Sequence, residues 1–427
     1  MSASANSWWI CAASWYSVTP AADCDVLISG AGPVGATLAL ALHAQGRGCQ
    51  LVDAAPQPVQ GDDRSLGLTT GSQRLLEGLG VWRHLRGAQP IRSLHISERG
   101  RFGRSHIHAR DHGLDALGAV VPAQQLHDAL AAELAARQIP LQRPAAIARM
   151  PLATPEAAPT PASAPCSAPA PAQAPGWRAV WLQQAAEDEA PALRARLVVG
   201  ADGAQSAVRT ALGIPRAVED YGQVALVTQL DAARDPQGCA YERFDPGGPM
   251  AVLPRGGRRV GAIWMLPRQR AEAFAAGPIE DFVAAFQQAF GWRLGRLRAA
   301  APLLRWPLSR VRARRLTGPR ALLMGNAAAA FHPIAAQGFN LALRDAAALA
   351  RALGDAPDPG ADAVLAAYEA SRQADHQHVE RLTDGLVKLY TQDLPGLSQL
   401  RSLGLYGLEV AAPLQRRLVA RSAGLVD

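Results

Sequence analysis

The sequence predicts an α/β fold in which a unit built on a parallel sheet is interrupted by a second, β-rich sheet and followed by helices. Beyond the N-terminal stretch, short apolar runs alternate with helical patterns, which is typical of strands that form a parallel sheet. From Tyr221 to Leu316 the pattern changes to β-rich runs separated by Gly and Pro. The closing segment, 361–427, predicts helices broken near Pro395 and Pro413.

Length and charge narrow the class of protein. A chain of 427 residues has room for two or three structural units. The formal net charge is +7, but the excess arginine is spread along the chain without a dense basic block. We therefore expect a mild preference for anionic surfaces and cofactors, and no nucleic-acid binding. The five cysteines lack the short spacing of a zinc or thiol-redox site, so we expect free thiols and no metal.

Two segments are expected to carry no chemistry. Residues 1–22 lack the charged and apolar regions of a secretory signal, and we predict a disordered extension. Residues 151–175 are almost entirely Ala, Pro, Ser and Thr, which favours a disordered surface insertion. No run of about eighteen uncharged apolar residues occurs, so a membrane-spanning helix is not expected.

The first motif joins a strand to a helix through glycines. The apolar run 26–29 leads into Gly30-Ala31-Gly32-Pro33-Val34-Gly35 and then a helical pattern. In this order the first glycine permits a tight turn, the second lets the backbone approach a pyrophosphate, and the third allows close helix packing. The helix N-terminus favours phosphate. We assign dinucleotide contacts to Gly30, Gly32, Pro33, Val34 and Gly35.

An acidic residue completes this motif. A second strand pattern, 49–52, ends in Asp53, about 20 positions after the glycines. A carboxylate there accepts hydrogen bonds from a ribose 2′-hydroxyl, which FAD and NAD leave unphosphorylated. Strand, glycines, helix and acid together predict a dinucleotide site.

Two later segments repeat the pattern of a buried strand that ends in a turn. Leu197 to Gly203 contains Gly-Ala-Asp-Gly, and Leu322 to Ala328 contains Gly-Asn-Ala-Ala. The second is followed by 331–340 and an apolar helix through about Leu353. With the first motif, these blocks resemble the class A flavin monooxygenases, whose corresponding blocks hold FAD. The resemblance implies a Rossmann-like FAD-binding domain of the p-hydroxybenzoate hydroxylase type, an inserted β-sheet substrate domain and C-terminal helices.

The resemblance assigns further residues to FAD. Arg64 matches the arginine that reaches toward the flavin, and Asn326 matches the residue that bonds the ribityl and phosphate region. The helix that begins near Phe339, with backbone N–H groups around Gly338, is expected to stabilise negative charge on the reduced flavin. The full set implied by the resemblance is Arg64, Gln124, Asp202, Gly203, Gly325, Asn326, Pro333, Ala336, Gln337, Gly338, Phe339 and Asn340.

Other segments resemble the ubiquinone-biosynthesis branch of this family. They include 241–244 and 248–254, while 95–100 and 289–295 are most similar to the enzymes that act on 2-polyprenyl-6-methoxyphenol. The resemblance implies O2-dependent ring hydroxylation with NADPH, or NADH, as a transiently bound donor. It divides the chain into an FAD-binding domain (23–94, 118–213 and 319–360), a substrate domain (95–117 and 214–318) and the helical region 361–427.

The chain departs from the family in two places. Ala336 stands where the family has the first glycine of Gly-Gln-Gly, and Asp63 stands where it has the glycine of Asp-Gly-Arg. The first departure matters more, because that loop's backbone touches the flavin ring. Alanine is the smallest possible replacement, so the interpretation stands.

The sequence assigns the catalytic and substrate residues less completely than the residues of the FAD site. Resemblance places the backbone around Pro333 beside the reacting edge of the flavin. His332 is either a general base for the phenol proton or a residue that only shapes the flavin loop. Alternation along a strand puts Tyr241 and Arg243 on one face without saying which, and with Pro249 they are candidate substrate contacts.

Two functions other than ring hydroxylation stay open, and so does the location of the protein in the cell. The same fold hosts flavin reductases of polyprenyl chains, and a silent FAD-holding member of a biosynthetic complex is also compatible. The leucines and arginines of 394–425 suit an anionic bilayer, a partner protein or the enzyme's own core. Because a prenylated phenol resides in lipid, we expect a cytoplasmic protein, peripheral on the inner face of the membrane or in a ubiquinone biosynthetic complex.

Overall fold

The protein is described here by a computed structural model. The structure describes residues 22–151, 176–183, 192–391, 397–422 and 424. Except for Ala22 and Pro151, the predicted extension and the predicted insertion lie outside the described residues.

Strands make up most of the elements. In chain order they are β1 (Cys24–Ser29), β2 (Cys49–Val52), β3 (Ser65–Thr69), β4 (Gln89–Pro90), β5 (Ser93–Glu98), β6 (Arg104–His108), β7 (Gly118–Pro122), β8 (Leu141–Gln142), β9 (Ile147–Arg149), β10 (Arg178–Leu182), β11 (Leu193–Gly200), β12 (Arg216–Ala232), β13 (Cys239–Asp245), β14 (Gly248–Pro254), β15 (Arg259–Pro267), β16 (Leu297–Ala299), β17 (Leu304–Ala313), β18 (Thr317–Gly318), β19 (Ala321–Leu323) and β20 (Ala329–Ala330).

The α-helices are interspersed in the first half and dominate the C-terminal part. They are α1 (Pro33–Ala44), α2 (Thr70–Gly78), α3 (Ala123–Ala136), α4 (Ala207–Ala211), α5 (Arg268–Ala276), α6 (Ile279–Phe290), α7 (Gln337–Gly354), α8 (Asp362–Thr391), α9 (Leu397–Val410) and α10 (Ala412–Ser422). The predicted break near Pro413 is present, because α9 ends at Val410 and α10 begins at Ala412.

The first sheet carries the glycine motifs. Its strand order is β18-β19-β11-β1-β2-β8, and β19, β11, β1, β2 and β8 run parallel. Apolar strands buried on both faces are typical of a parallel sheet covered by helices. The helices α1, α3 and α7 supply that cover, and Leu38, Leu42, Leu343 and Leu349 belong to the same buried cluster as strand residue Leu51.

The second sheet is the inserted one. Its order is β20-β17-β12-β15-β14-β13-β5-β6, with β16 paired to β12. The helix α6 covers one face, where Trp264, Phe282 and Phe286 are fully buried. A small antiparallel sheet, β3-β7-β4, completes the set. The predicted architecture, an α/β domain with an inserted sheet and C-terminal helices, is confirmed.

The C-terminal helices are attached to the core by buried charges. Asp345 of α7 is 3% exposed and accepts hydrogen bonds from Arg372 at 2.7 Å and from His376 at 2.8 Å, both on α8. A buried carboxylate is tolerated when it is paired in this way. No helix within the described ranges is long and apolar enough to cross a membrane.

Candidate functional site

The carboxyl ends of four parallel strands bring the predicted motifs together. The turn after β1 contacts both neighbours, because Gly30 N–H donates to the carbonyl of Val52 and Ala201 N–H donates to that of Ser29, each at 2.8 Å. The N–H of Met324, at the end of β19, donates to Gly200 at 2.8 Å. Ligands of open α/β sheets bind at this edge. The three blocks that lie far apart in the sequence therefore form one site.

Two glycines of the first motif are required by packing. Gly30 has φ +103°, and a Cβ there would lie 2.5 Å from the carbonyl oxygen of Ala201. A Cβ on Gly35 would lie 1.9 Å from the oxygen of Gly30. These contacts match the roles that the sequence predicts for the tight turn and for close helix packing.

The middle glycine faces open space. Gly32 has φ −67° and ψ 179°, and among the described residues no atom lies within 4 Å of a Cβ built on it. It precedes Pro33 at the first position of α1, and no described side chain caps this helix end. Since the first N–H groups of a helix bind anions, this end is open to a pyrophosphate.

The acidic residue that follows β2 shapes the same turn. One oxygen of Asp53 accepts from the N–H of Ala31 at 2.6 Å, and the other accepts from Ala55 at 2.8 Å. Its carboxylate thus lies beside the glycine turn, where a ribose contact was predicted. A carboxylate has about four acceptor sites, so these two bonds leave room for a ligand hydroxyl.

The second block is built around Asp202. Its Oδ2 accepts from the N–H groups of Ala207 at 2.8 Å and Val208 at 3.2 Å, which begin α4. Its Oδ1 is buried and has no hydrogen-bond partner within the part of the chain that the structure describes. A buried unpaired carboxylate oxygen is costly unless a ligand donor pairs with it. Gly203 beside it has φ +82°, and a Cβ built there would meet no described atom within 4 Å.

A buried arginine joins the second block to the third. Arg209 is 4% exposed, and its guanidinium donates to the carbonyls of Ala204 at 2.7 Å and Ala327 at 2.9 Å. In the third block Gly325 has φ +57° and lies against Val34 of the first motif, while Asn326 is exposed. Arg209 therefore fixes two turns of the cofactor edge relative to each other.

The predicted flavin loop precedes α7. Pro333 precedes a short 3-10 turn, Ile334–Ala336, and α7 begins at Gln337, two residues before the predicted start near Phe339. The side chain of Asn340 donates to the carbonyls of Gly67 at 2.8 Å and Ala336 at 2.7 Å.

The same asparagine also accepts a hydrogen bond. Its Oδ1 accepts from Thr69 N–H at 2.9 Å. Asn340 thus ties the loop to β3. Gln337 is buried, Gly338 and Phe339 are partly exposed, and Pro333 is exposed.

Ala336 is the departure with a structural consequence. It caps α7 with φ +49° and ψ 30°, a left-handed conformation that glycine adopts without steric cost. The family's glycine at this position is therefore explained by backbone geometry. This chain keeps the conformation with a methyl group that lies close to Gly67.

We predict that Ala336→Gly retains FAD and that its flavin is reduced at least as fast as the flavin of the parent enzyme. Glycine relieves a left-handed alanine, but it also gains freedom in the unfolded chain, so the free energy of unfolding should change by less than about 1 kcal/mol. Anaerobic stopped-flow reduction and thermal unfolding measure both quantities. Ala336→Val is the control and should lower stability, because a β-branched residue is poorly tolerated at positive φ. Loss of FAD in the glycine variant would contradict this account of the loop.

His332 is held by hydrogen bonds on both ring nitrogens. It is 1% exposed, Nε2 lies 3.1 Å from Oε1 of Gln223, and Nδ1 accepts from Ile334 N–H at 3.3 Å. Its ring packs edge-on against Tyr221, with centroids 4.9 Å apart. Burial lowers the pKa of His332 to about 4. These contacts favour the loop-shaping role over that of a general base.

We predict that His332→Gln lowers kcat/KM by less than about tenfold near neutral pH, because a residue that only shapes the loop supplies no proton transfer. Loss of a general base would cost about 10²–10⁴-fold. A fall within that larger range, with loss of one limb of the pH–rate profile, would contradict the loop-shaping role. The free energy of unfolding provides a second readout. The pKa of His332 lies below the ordinary value of 6.5, so the unfolded chain binds the proton first as the pH falls. The stabilisation that comes from neutral His332 is present above about pH 6.5 and is lost as the pH falls toward about 4. His332→Gln should not show this loss of stability.

Arg64 and Gln124 belong to one polar cluster around Asp62. Arg64 forms a bidentate pair with Asp62, at 2.8 and 2.6 Å, and lies over the Trp306 ring with its guanidinium carbon 4.7 Å from the centroid. Gln124 donates to the carbonyl of Val59 and accepts from Asp62 N–H. In the structure Asp62 therefore links the two residues, and Gln124 also contacts Val59.

The substrate candidates divide between the two faces of the inserted sheet. Tyr241 packs against Phe290 of α6, with ring centroids 5.5 Å apart, and Arg243 donates to the carbonyl of Ala289 at 2.9 Å. Both lie on the face that α6 covers, which is at odds with a substrate role. Pro249 pairs with Phe244 on the opposite face. The sequence predicted correctly that Tyr241 and Arg243 share a face, but periodicity alone does not identify it.

Sequence reasoning missed four residues that organise this site. They are Tyr221 and Gln223, which contact His332, and Asp62 and Trp306, which contact Arg64. Tyr221 also donates to Asp384 of α8 at 3.1 Å. Apart from the pair Asp62–Arg64, these contacts join residues that are remote in sequence, and no local pattern marks them.

The fold and the site together define an FAD-binding protein. Residues 23–147 and 172–383 match the family model of the FAD binding domain. The chain is 34% identical over 418 residues to ubiquinone hydroxylase UbiL of Rhodospirillum rubrum, covering 95% of this chain and 91% of that protein. It is 29% identical over 415 residues to 3-demethoxyubiquinol 3-hydroxylase of Escherichia coli, with 94% and 98% covered.

A solved structure supports the fold. The crystal structure of p-nitrophenol 4-monooxygenase PnpA from Pseudomonas putida has a TM-score of 0.72 and 16% identity over 93% of this chain and 98% of that chain. The chain belongs to the FAD-dependent hydroxylases of ubiquinone biosynthesis, a family of flavin monooxygenases.

The residues present fit FAD. Gly32 and Gly203 leave space at the cofactor edge, Asp53 lies beside the first turn, and Asp202 has a buried oxygen that no described residue pairs with. Open backbone, a helix N-terminus and two carboxylates suit the pyrophosphate and hydroxyl groups of a dinucleotide.

Proposed function

We propose that this enzyme hydroxylates the ring of a polyprenylated phenol, 2-polyprenyl-6-methoxyphenol, with NADPH or NADH and O2 as co-substrates. The observation that carries the proposal is an apolar face of the inserted sheet that starts at the flavin loop. Next to the His332 contacts of β12, Ala225, Met265 and Leu308 form a buried cluster on the side opposite α6.

The apolar face suits a lipophilic ring substrate. Tyr221, Val227 and Ile263 are partly buried beside that cluster. Ligand sites of this kind are lined mainly by apolar side chains, with a few polar groups that fix orientation. The names of the relatives, a ubiquinone hydroxylase and a 3-demethoxyubiquinol 3-hydroxylase, support a substrate from ubiquinone biosynthesis.

The protein's part in the reaction is positioning and electrostatics. Bound FAD supplies the redox chemistry, in which donor electrons reduce O2 and one oxygen atom is placed on the ring. We expect the N-terminus of α7, with the N–H groups around Gly338, to stabilise negative charge on the bound flavin. His332 and Asn340 hold the loop, so its backbone is fixed before the substrate binds.

A cleft beside the second block is our candidate for the donor's phosphate groups. It has a volume of about 590 Å³, and its lining includes Arg209 and Arg216. Arg216 is exposed and donates to the carbonyl of Ala204 at 2.8 Å, next to Gly203. Arginine is well suited to phosphate, which supports a nicotinamide dinucleotide, NADPH or NADH, as the donor.

One assay separates the proposal from its rivals. Purified enzyme should be yellow, and it should consume NADPH faster when a short-chain 2-prenyl-6-methoxyphenol is added. The product should be one oxygen atom heavier than the phenol. A reductase of polyprenyl chains would consume the donor without O2, and a silent FAD-binding subunit would consume none.

The substrate itself is tested in the organism. Deletion of the gene should lead to accumulation of 2-polyprenyl-6-methoxyphenol, detected by mass spectrometry of lipid extracts. Complementation with the intact gene is the control and should remove it. Accumulation of a precursor that already carries the additional hydroxyl would assign the enzyme to another ring position.

We also propose that the enzyme works in the cytoplasm at the inner face of the membrane, alone or within a ubiquinone biosynthetic complex. A polyprenyl tail partitions into lipid, so the enzyme must take its substrate from a bilayer or from a carrier. The arginine excess of the chain supports an anionic surface as its partner.

A further inference from the structure

We infer that the outer face of α9, together with α10 and the tip of the β5–β6 hairpin, is the surface on which this enzyme binds an anionic lipid bilayer. The inference rests on the proposed function, since a prenylated substrate is what makes a bilayer the expected source. We call this area the α9 surface. Its exposed apolar members are Phe102, Leu400, Leu403, Tyr406, Val410 and Leu414.

The helix α9 has two distinct faces. On the inner face Arg401 pairs with Glu98 of β5 at 2.8 Å, Glu409 accepts from the N–H of His106 at 2.6 Å, and Ser402 and Leu405 are buried. The helix is therefore fixed to the inserted sheet by that side.

The outer face is apolar although it is exposed. Leu400, Leu403, Tyr406 and Val410 recur at intervals of three and four residues, which puts them on one side of the helix. Their exposed fractions are 65%, 56%, 55% and 59%. Soluble proteins seldom expose a contiguous row of large apolar side chains unless it binds something.

The hairpin tip extends this face. Gly103 is buried against α9, and a Cβ there would lie 2.4 Å from the Cα of Ser402. The neighbouring Phe102 is 65% exposed, and Arg101 and Arg104 are exposed on either side of it. Phe102 thus adds an aromatic ring and two cationic side chains next to α9.

Charge identifies the occupant. The helices α9 and α10 contain four arginines and one acidic residue, Glu409, which is engaged with His106. Arg401 is paired with Glu98, while Arg416, Arg417 and Arg421 are exposed. Two copies of this face would bring like charges together, whereas an anionic bilayer complements both the arginines and the apolar row.

The test is flotation of the full-length holoenzyme with vesicles of phosphatidylglycerol and phosphatidylcholine. We expect the enzyme to bind these vesicles and not vesicles of phosphatidylcholine alone. Leu403→Glu and Arg416→Glu/Arg417→Glu should each lower the apparent affinity at least about tenfold, because each removes an apolar anchor or two surface cations. Arg296→Glu/Arg298→Glu makes the same change in net charge on β16 and its flank, and it should bind as the parent does.

Other outcomes overturn the inference. An enzyme that never floats, or whose variants float as well as the parent, has no bilayer site here. A parent that sediments as a dimer while Leu403→Glu is a monomer would assign the face to a second copy. Thermal unfolding and FAD content verify that the variants fold.

Turnover of a short-chain phenol in solution keeps the two proposals separable. If Leu403→Glu hydroxylates the soluble phenol normally but does not float, both proposals hold. If the parent floats but hydroxylates no phenol, the proposed reaction fails and the surface stands.

Discussion

Replacing Gly32 by valine should abolish FAD retention while leaving the apoprotein folded. The φ and ψ of Gly32 are accessible to any residue, and no described atom lies within 4 Å of a new Cβ, so the side chain itself meets no protein group. It occupies instead the space that the pyrophosphate needs. We expect FAD affinity to fall at least about a hundredfold, which corresponds to roughly 2.7 kcal/mol. Flavin absorbance after gel filtration and apoprotein melting measure the two effects.

Two control variants make this result specific. Gly48→Val, just before β2, also meets no described atom within 4 Å and should keep its FAD. In Gly35→Ala the new Cβ would lie 1.9 Å from the oxygen of Gly30, so this variant should lose stability as an apoprotein. Full FAD occupancy in Gly32→Val would contradict the placement of the site.

The second large effect is expected for Arg209→Met. Removal of the guanidinium leaves the carbonyl of Ala327 without its donor in a buried position, while the carbonyl of Ala204 keeps the hydrogen bond from Arg216. An unsatisfied buried acceptor costs about 1–3 kcal/mol, so we expect the free energy of unfolding to fall by about 1–3 kcal/mol. FAD affinity should also fall, because the Asp202–Gly203 and Gly325 turns are no longer held together.

Arg216→Met is the matched control for this prediction. Arg216 donates to the same carbonyl of Ala204 but is exposed, so water can replace its bond. It should retain FAD and melt close to the parent enzyme. If both variants lose the same amount of stability and FAD affinity, the buried guanidinium of Arg209 has no special part in holding the two turns in place. The measurements are chemical denaturation of the apoprotein and titration with FAD.

The cofactor edge was predictable because it depends on local patterns. A strand followed by glycines and a helix fixes the turn at Gly30, and the carboxyl ends of parallel strands meet by geometry. Gly200 and Gly325 therefore had to lie near Gly30 once their strands were recognised. The structure places Asp53 beside that turn as well.

The substrate side was not predictable in the same way. A strand period of two residues puts Tyr241 and Arg243 on one face, but only packing on α6 shows which. The left-handed conformation of Ala336 could not be predicted from the sequence, because glycine is the residue that usually indicates such a conformation and this position holds alanine. The partners of His332, Tyr221 and Gln223, lie on β12 and are brought to it by the tertiary fold alone.

The C-terminal helices also show a difference between what spacing predicts and what packing decides. The leucines of the C-terminal segment fit an inward or an outward face equally well by spacing alone. The structure divides them, because Leu405 is buried against the inserted sheet while Leu400 and Leu403 are exposed. Arg401, one of the arginines of that segment, forms an ion pair with Glu98 at 2.8 Å and is not free to meet a bilayer.

The origin of the product oxygen tests the central claim most directly. The holoenzyme is supplied with NADPH, a short-chain 2-prenyl-6-methoxyphenol and O2 enriched in heavy oxygen, and the product is analysed by mass spectrometry. We predict a hydroxylated ring that carries one heavy oxygen atom, with none from labelled water in the converse experiment. Product oxygen taken from water, or donor consumption without any oxygenated ring, would contradict the assignment as an aromatic-ring monooxygenase.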